Sequence, residues 1–190
     1  MRGPMRIIAG KYRGRRLQGP RGADLRPTGD RLKETLFSIL GPALDGVTVL
    51  DVFAGTGAIG LEALSRGARE VIFIDSSREA VRLIRRNLEL LGIASGYKIL
   101  QEDAFTSLRA LARSGFRADI VFLDPPYRWG PYSDLIGILF QTGIAAAETR
   151  VILEHHGKAG VPVTEPGFRR VRTVRQSDKC LSFYSCASEA

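Results

Sequence analysis

Apolar positions along the chain follow two alternating rhythms, and the alternation predicts a fold class. Residues 47–52 read as a buried strand, followed by a glycine-rich turn and a helix over 58–66. A second strand over 71–74 ends at Asp75, where Ser76-Ser77-Arg78-Glu79 predicts a capping box. The helix that follows shows Val81, Ile84, Leu88 and Leu91 on one face and stops at Gly92. A weaker strand over 97–100, a helix over 105–112, an apolar strand over 120–123, a helix over 133–140 and a strand over 151–153 continue the series. Residues 169–174 and 180–184 read as a terminal hairpin. Strand and helix in alternation predict an α/β fold, a parallel sheet with helices on both faces and right-handed connections. The hairpin adds an antiparallel strand at one edge.

The first part of the chain is patterned differently. Ile7, Ile8, Tyr12 and Leu17 are interleaved with charges and punctuated by Gly10 and Gly14, which predicts a short hairpin with one buried face. A helix follows, with Thr28 or Asp30 as its cap, Leu32, Leu36, Ile39 and Leu40 on its apolar face, and Gly41-Pro42 at its end. Charge sharpens this picture. The 190 residues carry a net charge of +8. Residues 1–33 hold ten basic side chains (Arg2, Arg6, Lys11, Arg13, Arg15, Arg16, Arg21, Arg26, Arg31 and Lys33) and two acidic ones, so the whole excess lies there. The remaining 157 residues hold eighteen of each sign. A neutral body with a basic segment predicts a catalytic domain carrying a grip for a polyanion. No apolar run is long enough to cross a bilayer and no signal-peptide core follows the basic N-terminus, which predicts a cytoplasmic protein. Cys180 and Cys186, the only cysteines, form neither a disulfide framework nor a zinc site and are expected as unpaired thiols.

Ligands of doubly wound sheets bind at the carboxyl ends of the strands. Four strands here run into acids: Asp51, ahead of Phe53-Ala54-Gly55-Thr56-Gly57; Asp75; Glu102-Asp103; and Asp124. Gly55, Gly57 and Gly60 would be the flexible points of a ligand-binding turn, but a G-x-G is shared with dinucleotide enzymes. Three features favour another ligand. The turn holds no Walker lysine, Asp51 would oppose a pyrophosphate, and Asp75 stands where an acid bonds a ribose diol. S-adenosylmethionine carries an ammonium, a sulfonium and a ribose but no phosphate, so an acidic rim suits it. Asp51, Phe53, Ala54, Gly55, Thr56, Gly57, Asp75, Asp103 and Ala104 are the candidate cofactor residues. Each acid alone would equally serve as a helix cap or a solvated rim residue.

Asp124-Pro125-Pro126-Tyr127 follows the most apolar strand and is the candidate catalytic set. Two prolines remove two amide donors, leaving a cluster of acceptors suited to grip an amino group through its hydrogens. An aromatic amine is a poor nucleophile, and accepting its hydrogens frees the lone pair to attack a methyl held in line. Tyr127 offers a face on which a flipped base would stack. Neither cysteine lies near this turn, which argues against carbon methylation through a thiolate. Nothing about His155 and His156 indicates a metal site or a general base, and they read as structural or rim residues.

Residues 6–17, from Arg6-Ile7-Ile8-Ala9-Gly10-Lys11-Tyr12-Arg13 onward, and residues 25–37, with Arg26-Pro27-Thr28, Asp30-Arg31 and Glu34-Thr35-Leu36-Phe37, resemble the RsmD family of bacterial small-subunit rRNA guanine-N(2) methyltransferases. Residues 50–66 and 124–127 match as well, though these stretches are shared with many methyltransferases. The resemblance runs from Met5, a candidate initiator, to Tyr184 and loosens after Val151. It implies a Rossmann-like class I methyltransferase with a seven-stranded, mostly parallel sheet. It also implies S-adenosylmethionine as methyl donor, and as substrate a guanine of 16S rRNA in an assembling small subunit. The expected division is 1–44 as a basic hairpin and helix gripping RNA through Arg6, Lys11, Arg13, Arg15, Arg16, Arg26 and Arg31, and 45–190 as the methyltransferase domain, in a monomer. Two other readings stay open: an adenine-amino DNA methyltransferase, for which no sequence-reading domain is evident, and a non-catalytic RNA-binding module.

Overall fold

The computed structural model describes residues 5–20, 27–126 and 130–187, without the side chains of 27–30. Arg2, Arg21, Arg26 and Tyr127 therefore lie outside the described residues. The apolar runs form β1 (Thr48–Val52), β2 (Glu70–Ile74), β3 (Tyr97–Leu100), β4 (Ile120–Leu123) and β5 (Arg150–His156), all parallel. The chain ends in β6 (Thr164–Glu165), β7 (Phe168–Gln176) and β8 (Lys179–Cys186). One sheet results, in the order β3-β2-β1-β4-β5-β8-β7-β6, with β8 antiparallel to both of its neighbours. Seven of these strands make the sheet that the resemblance implies. The eighth, the two-residue β6, pairs on the outer edge of β7. The winding reverses between β1 and β4, which opens the crevice where such sheets bind ligands.

Helices α1 (Pro27–Leu40), α2 (Ala58–Ser65), α3 (Arg78–Leu91), α4 (Ala104–Arg113) and α5 (Tyr132–Gln141) cover the sheet. Alternation along the strands divides the core. Val49, Val71, Phe73, Ile120, Phe122 and Ile152 pack under α1, α2 and α3, whereas Leu50, Val52, Ile72, Val121 and Leu153 pack under α4 and α5. With both faces covered, β1 and β4 are buried at every position, so they read as unbroken apolar runs.

Local details depart from the sequence reading. α1 begins at Pro27, a favoured first helical residue, so neither Thr28 nor Asp30 stands at its N-cap. The cap of α3 is Ser77, whose Oγ accepts the Ala80 N–H at 3.3 Å; Ala80 rather than Glu79 then occupies the third helical position, and no capping box forms. Gly60 is a residue of α2 and not a flexible point of the turn; a β-carbon there would come within 2.3 Å of the Phe73 ring. Gly92 ends α3 as expected, and Cys180 and Cys186 are free thiols.

The basic segment folds as a hairpin pinned at one bridge, Arg6 to Arg16, with Leu17 N–H donating to Met5 C=O at 2.8 Å. Ile7 and Leu17 turn into the core. Its anchor is Glu62 of α2, 0 % exposed. The Glu62 carboxylate accepts the Ile8 N–H at 2.8 Å, the Ala9 N–H at 2.9 Å and Arg66 Nε at 2.9 Å, and Lys33 Nζ stands 3.4 Å away. Lys33 also donates to Arg6 C=O at 2.6 Å. This lysine, counted in the basic excess, is buried and turned inward from any polyanion. Gly10 packs so closely on the Ser65 carbonyl that a β-carbon would lie 1.9 Å from its oxygen. Further on, buried Asn87 of α3 bonds both the N–H and the C=O of Gln18 and donates to Thr56 C=O at 3.0 Å.

Removing one partner of a buried charge network leaves the others unpaired, so Glu62→Ala should cost roughly 3–5 kcal/mol. Chemical unfolding checks this against Glu89→Ala, which breaks the half-exposed Arg86–Glu89 pair and should change stability by less than about 1 kcal/mol.

Candidate active site

The turn after β1 is held in a strained shape. Phe53 has φ +60°, a conformation that side chains other than glycine rarely adopt, and Gly55 and Gly57 have φ +56° and +76°. The framework enforces it. Ala54 N–H donates to Ile74 C=O at 3.0 Å and Gly57 N–H to Ala54 C=O at 2.8 Å. Strain of this kind collects at ligand sites. No atom comes within 4 Å of a β-carbon placed on Gly55 except the Phe53 oxygen, at 4.0 Å, so the turn is open on that side.

Of the four expected acids, Asp75 bonds this turn directly, Asp51 lies beneath it, Asp124 follows the strand beside β1 and Asp103 stands at the start of α4. Asp75 at the end of β2 accepts the Gly55 N–H at 2.8 Å and the Ser77 N–H at 2.9 Å, bracing turn and helix together. Asp103 is the N-cap of α4, accepting from Phe105 and Thr106, and is exposed. Asp51 is 2 % exposed and accepts the Gly60 N–H at 2.9 Å. Burial pushes its carboxyl up to about 8; the Gly60 bond opposes this, and the charges of Asp124 and Asp75 add to it. At neutral pH Asp51 is a largely neutral strut under the start of α2, not a charge on the rim.

Asp124 follows β4, its N–H reaching Val52 C=O at 3.3 Å, so it adjoins the end of β1, where the glycine turn begins. Pro125 is buried and Pro126 exposed. Asp124, Pro125 and Pro126 line a pocket of about 290 Å³ together with Tyr132, Glu154, His155, His156, Asp178 and Lys179. Asp124 opens onto this pocket and is exposed there. Partial desolvation of its carboxyl, and then the Glu154 carboxylate, push Asp124 up to about 7 against the pull of the Lys179 ammonium. Glu154, 9 % exposed, pairs with Lys179 across β5 and β8. Burial works against the Lys179 charge, but Glu154 and Asp124 outweigh it and raise its pKa. His155 Nε2 meets Ser182 Oγ at 2.8 Å and burial lowers its pKa, as suits a structural histidine. His156 borders the pocket.

Sequence reading missed Glu154 and Lys179. They stand 30 and 55 residues beyond Asp124 in unremarkable strands, and only the β4-β5-β8 order brings them to it. Arg6, Lys11, Arg13, Arg15, Arg16 and Arg31 are exposed, as a polyanion grip requires, and Arg15 also donates to Leu90 C=O at 2.6 Å. Charge averaged over the body concealed a second basic strip. β7 carries Arg169, Arg170, Arg172 and Arg175 with no acid, and none forms an ion pair among the described residues.

The model of the family described as conserved hypothetical protein 95 matches residues 5–185. A ribosomal RNA small subunit methyltransferase D of Escherichia coli is 39% identical over 160 residues, 84% of this chain and 79% of the relative. A putative rRNA methyltransferase of Bacillus subtilis is 36% identical over 162 residues, 84% of this chain and 87% of the relative. Among solved structures, a putative methyltransferase from Escherichia coli superposes with a TM-score of 0.81 at 32% identity, covering 98% of this chain and all of that one.

Asp51 also sets a pH dependence. Its native carboxyl keeps a proton up to about 8, whereas an unfolded one loses it near 3.8. The native state therefore binds more protons between these values, and this contribution to stability falls as pH rises toward 8. In Asp51→Asn an amide oxygen accepts the Gly60 N–H without ionising. Thermal unfolding at pH 5 and pH 8.5 should show the variant gaining on the native protein at the higher pH, and an unchanged gap would rule out a protonated Asp51.

Proposed function

We infer, for a chain that belongs to the conserved hypothetical protein 95 family, the RsmD methyltransferases, that it moves a methyl group from S-adenosylmethionine to the exocyclic 2-amino group of a guanine in 16S rRNA. The observation that carries this reading is an acceptor-rich pocket, built on Asp124-Pro125-Pro126, beside an open glycine turn braced by Asp75.

The turn fits the cofactor. It holds no lysine or arginine for a phosphate, its Gly55 amide is taken by Asp75, and the space over Gly55 is clear. Residues 53–57, Asp75, Asp103 and Ala104 would hold S-adenosylmethionine, with Asp51 fixing the turn from below. When bound, the cofactor supplies an electrophilic methyl on its sulfonium and leaves as S-adenosylhomocysteine. Asp124 and the proline-flanked carbonyls accept the amine hydrogens and orient the nitrogen in line. As the carbon–sulfur bond gives way to a carbon–nitrogen bond, the nitrogen sheds a proton, and a carboxylate with a pKa near 7 is suited to receive it. Tyr127 supplies a face for stacking the base.

Residues 1–44 serve as the RNA grip and 45–190 carry the reaction. The hairpin and α1 expose basic side chains, and β7 adds four arginines. The substrate is an assembling small subunit, met by a monomer in the cytoplasm. Among the described residues no helix is long and apolar enough to cross a membrane.

Labelled S-adenosylmethionine should transfer methyl groups to small-subunit rRNA or particles, and Asp124→Ala should abolish the transfer. The native rate should rise with pH and level off above about 7, as Asp124 ionises; a flat profile from pH 5.5 to 8.5 would remove Asp124 as the proton acceptor. RNA affinity should fall with salt by a log–log slope of roughly 0.7 to 0.9 per phosphate neutralised. Arg13→Ala with Arg16→Ala should lower that slope by about one per arginine removed.

A further inference from the structure

The tetrapeptide grips an amino group but does not choose which base bears it; guanine and adenine both present one. The pocket contains more than the tetrapeptide. Leu123 pairs with Leu153 across β4 and β5, so Asp124 and Glu154 stand side by side just beyond that pair. On β8, Lys179 pairs with His156 and reaches back to Glu154 Oε1. The opposite oxygen, Oε2, accepts no hydrogen bond among the described residues. Three adjacent strands thus present, in order, an acceptor at Asp124, an acceptor at Glu154 and a donor at Lys179, all lining a pocket at the small end of ligand-site volumes.

Guanine presents the complementary sequence along its Watson–Crick edge: the 2-amino group and N1–H as donors, then O6 as acceptor. Adenine does not. With its amino group on Asp124, adenine would aim the bare N1 lone pair at the Glu154 carboxylate. We infer that Glu154, held in place by Lys179, is the residue that selects guanine, its Oε2 accepting the N1–H of the flipped base while Lys179 donates to O6. The ion pair suits this work. Lys179 fixes the rotamer of Glu154, so the acceptor is preorganised before the base arrives. A buried acceptor left facing a second acceptor is strongly disfavoured, so the same residue rejects adenine.

This inference rests on the guanine reading above, and one experiment separates the two. Small-subunit particles are reconstituted with 16S rRNA carrying guanine, adenine or 2-aminopurine at the methylated position. The last keeps the 2-amino group but lacks N1–H and O6. The native protein should prefer guanine to 2-aminopurine by at least about a hundredfold in kcat/KM. In Glu154→Gln the rate on guanine should fall at least about tenfold, because an amide donor now faces N1–H. The preference should collapse or invert, since that amide can donate to the bare N1 of 2-aminopurine. Binding of S-adenosylmethionine, measured by calorimetry, should stay unchanged. The E154Q/K179M double variant leaves no unpaired ammonium and should show the same collapse, which covers the case that the single variant folds poorly. Full retention of the guanine preference in either variant overturns the role given to Glu154. Failure of the native protein to methylate the guanine particles overturns the guanine reading itself.

Discussion

A single buried carboxylate, Glu62, ties the molecule together. Placing a charge at 0 % exposure is costly unless every lone pair finds a donor, and here two backbone amides, an arginine and a lysine supply them. The donors come from different parts of the chain, so satisfying one charge fixes three elements at once. The hairpin docks through Ile8 and Ala9 and α1 through Lys33, onto a carboxylate that α2 carries and its C-cap Arg66 also pairs. A basic arm that would otherwise be solvated becomes part of the wall of the catalytic domain.

That docking reaches the glycine turn. α2 carries Glu62, and the turn at its N-terminus is held from below by Asp51 through Gly60. Asn87 completes the link by bonding Gln18 of the arm and Thr56 of the turn. The positive φ of Phe53 can persist because these contacts over-determine the loop. The basic arm and the glycine turn therefore share one rigid frame, as in-line transfer between two separately bound partners would demand.

Beyond the frame, the chemistry follows from an imbalance of donors and acceptors. Prolines strip amide donors from the end of β4, and acids gather at the ends of β1, β4 and β5. Desolvation first, and then the charge of neighbouring carboxyls, lifts Asp51 and Asp124 toward neutral pH. Lys179 offsets that crowding at one end of the row by pulling the Asp124 carboxyl back down.

The sequence by itself determined the α/β alternation, the two-faced parallel core, the glycine turn and the Asp124-Pro125-Pro126 turn after β4. These depend on neighbours in the chain: apolar runs make buried strands, and consecutive prolines remove consecutive donors. It also placed the basic arm, but it could not show that Lys33 belongs to the interior, because nothing local distinguishes a lysine facing water from one facing Glu62. Nor could it show Asp51 as a neutral strut, Gly60 as a packing contact against Phe73, or the arginine strip of β7, which vanished in an average over the body. Glu154 and Lys179 became part of the site only when β5 and β8 were laid beside β4. Desolvation, charge crowding and the order of donors across a pocket are properties of neighbours in space, and only the tertiary structure decides which residues those are.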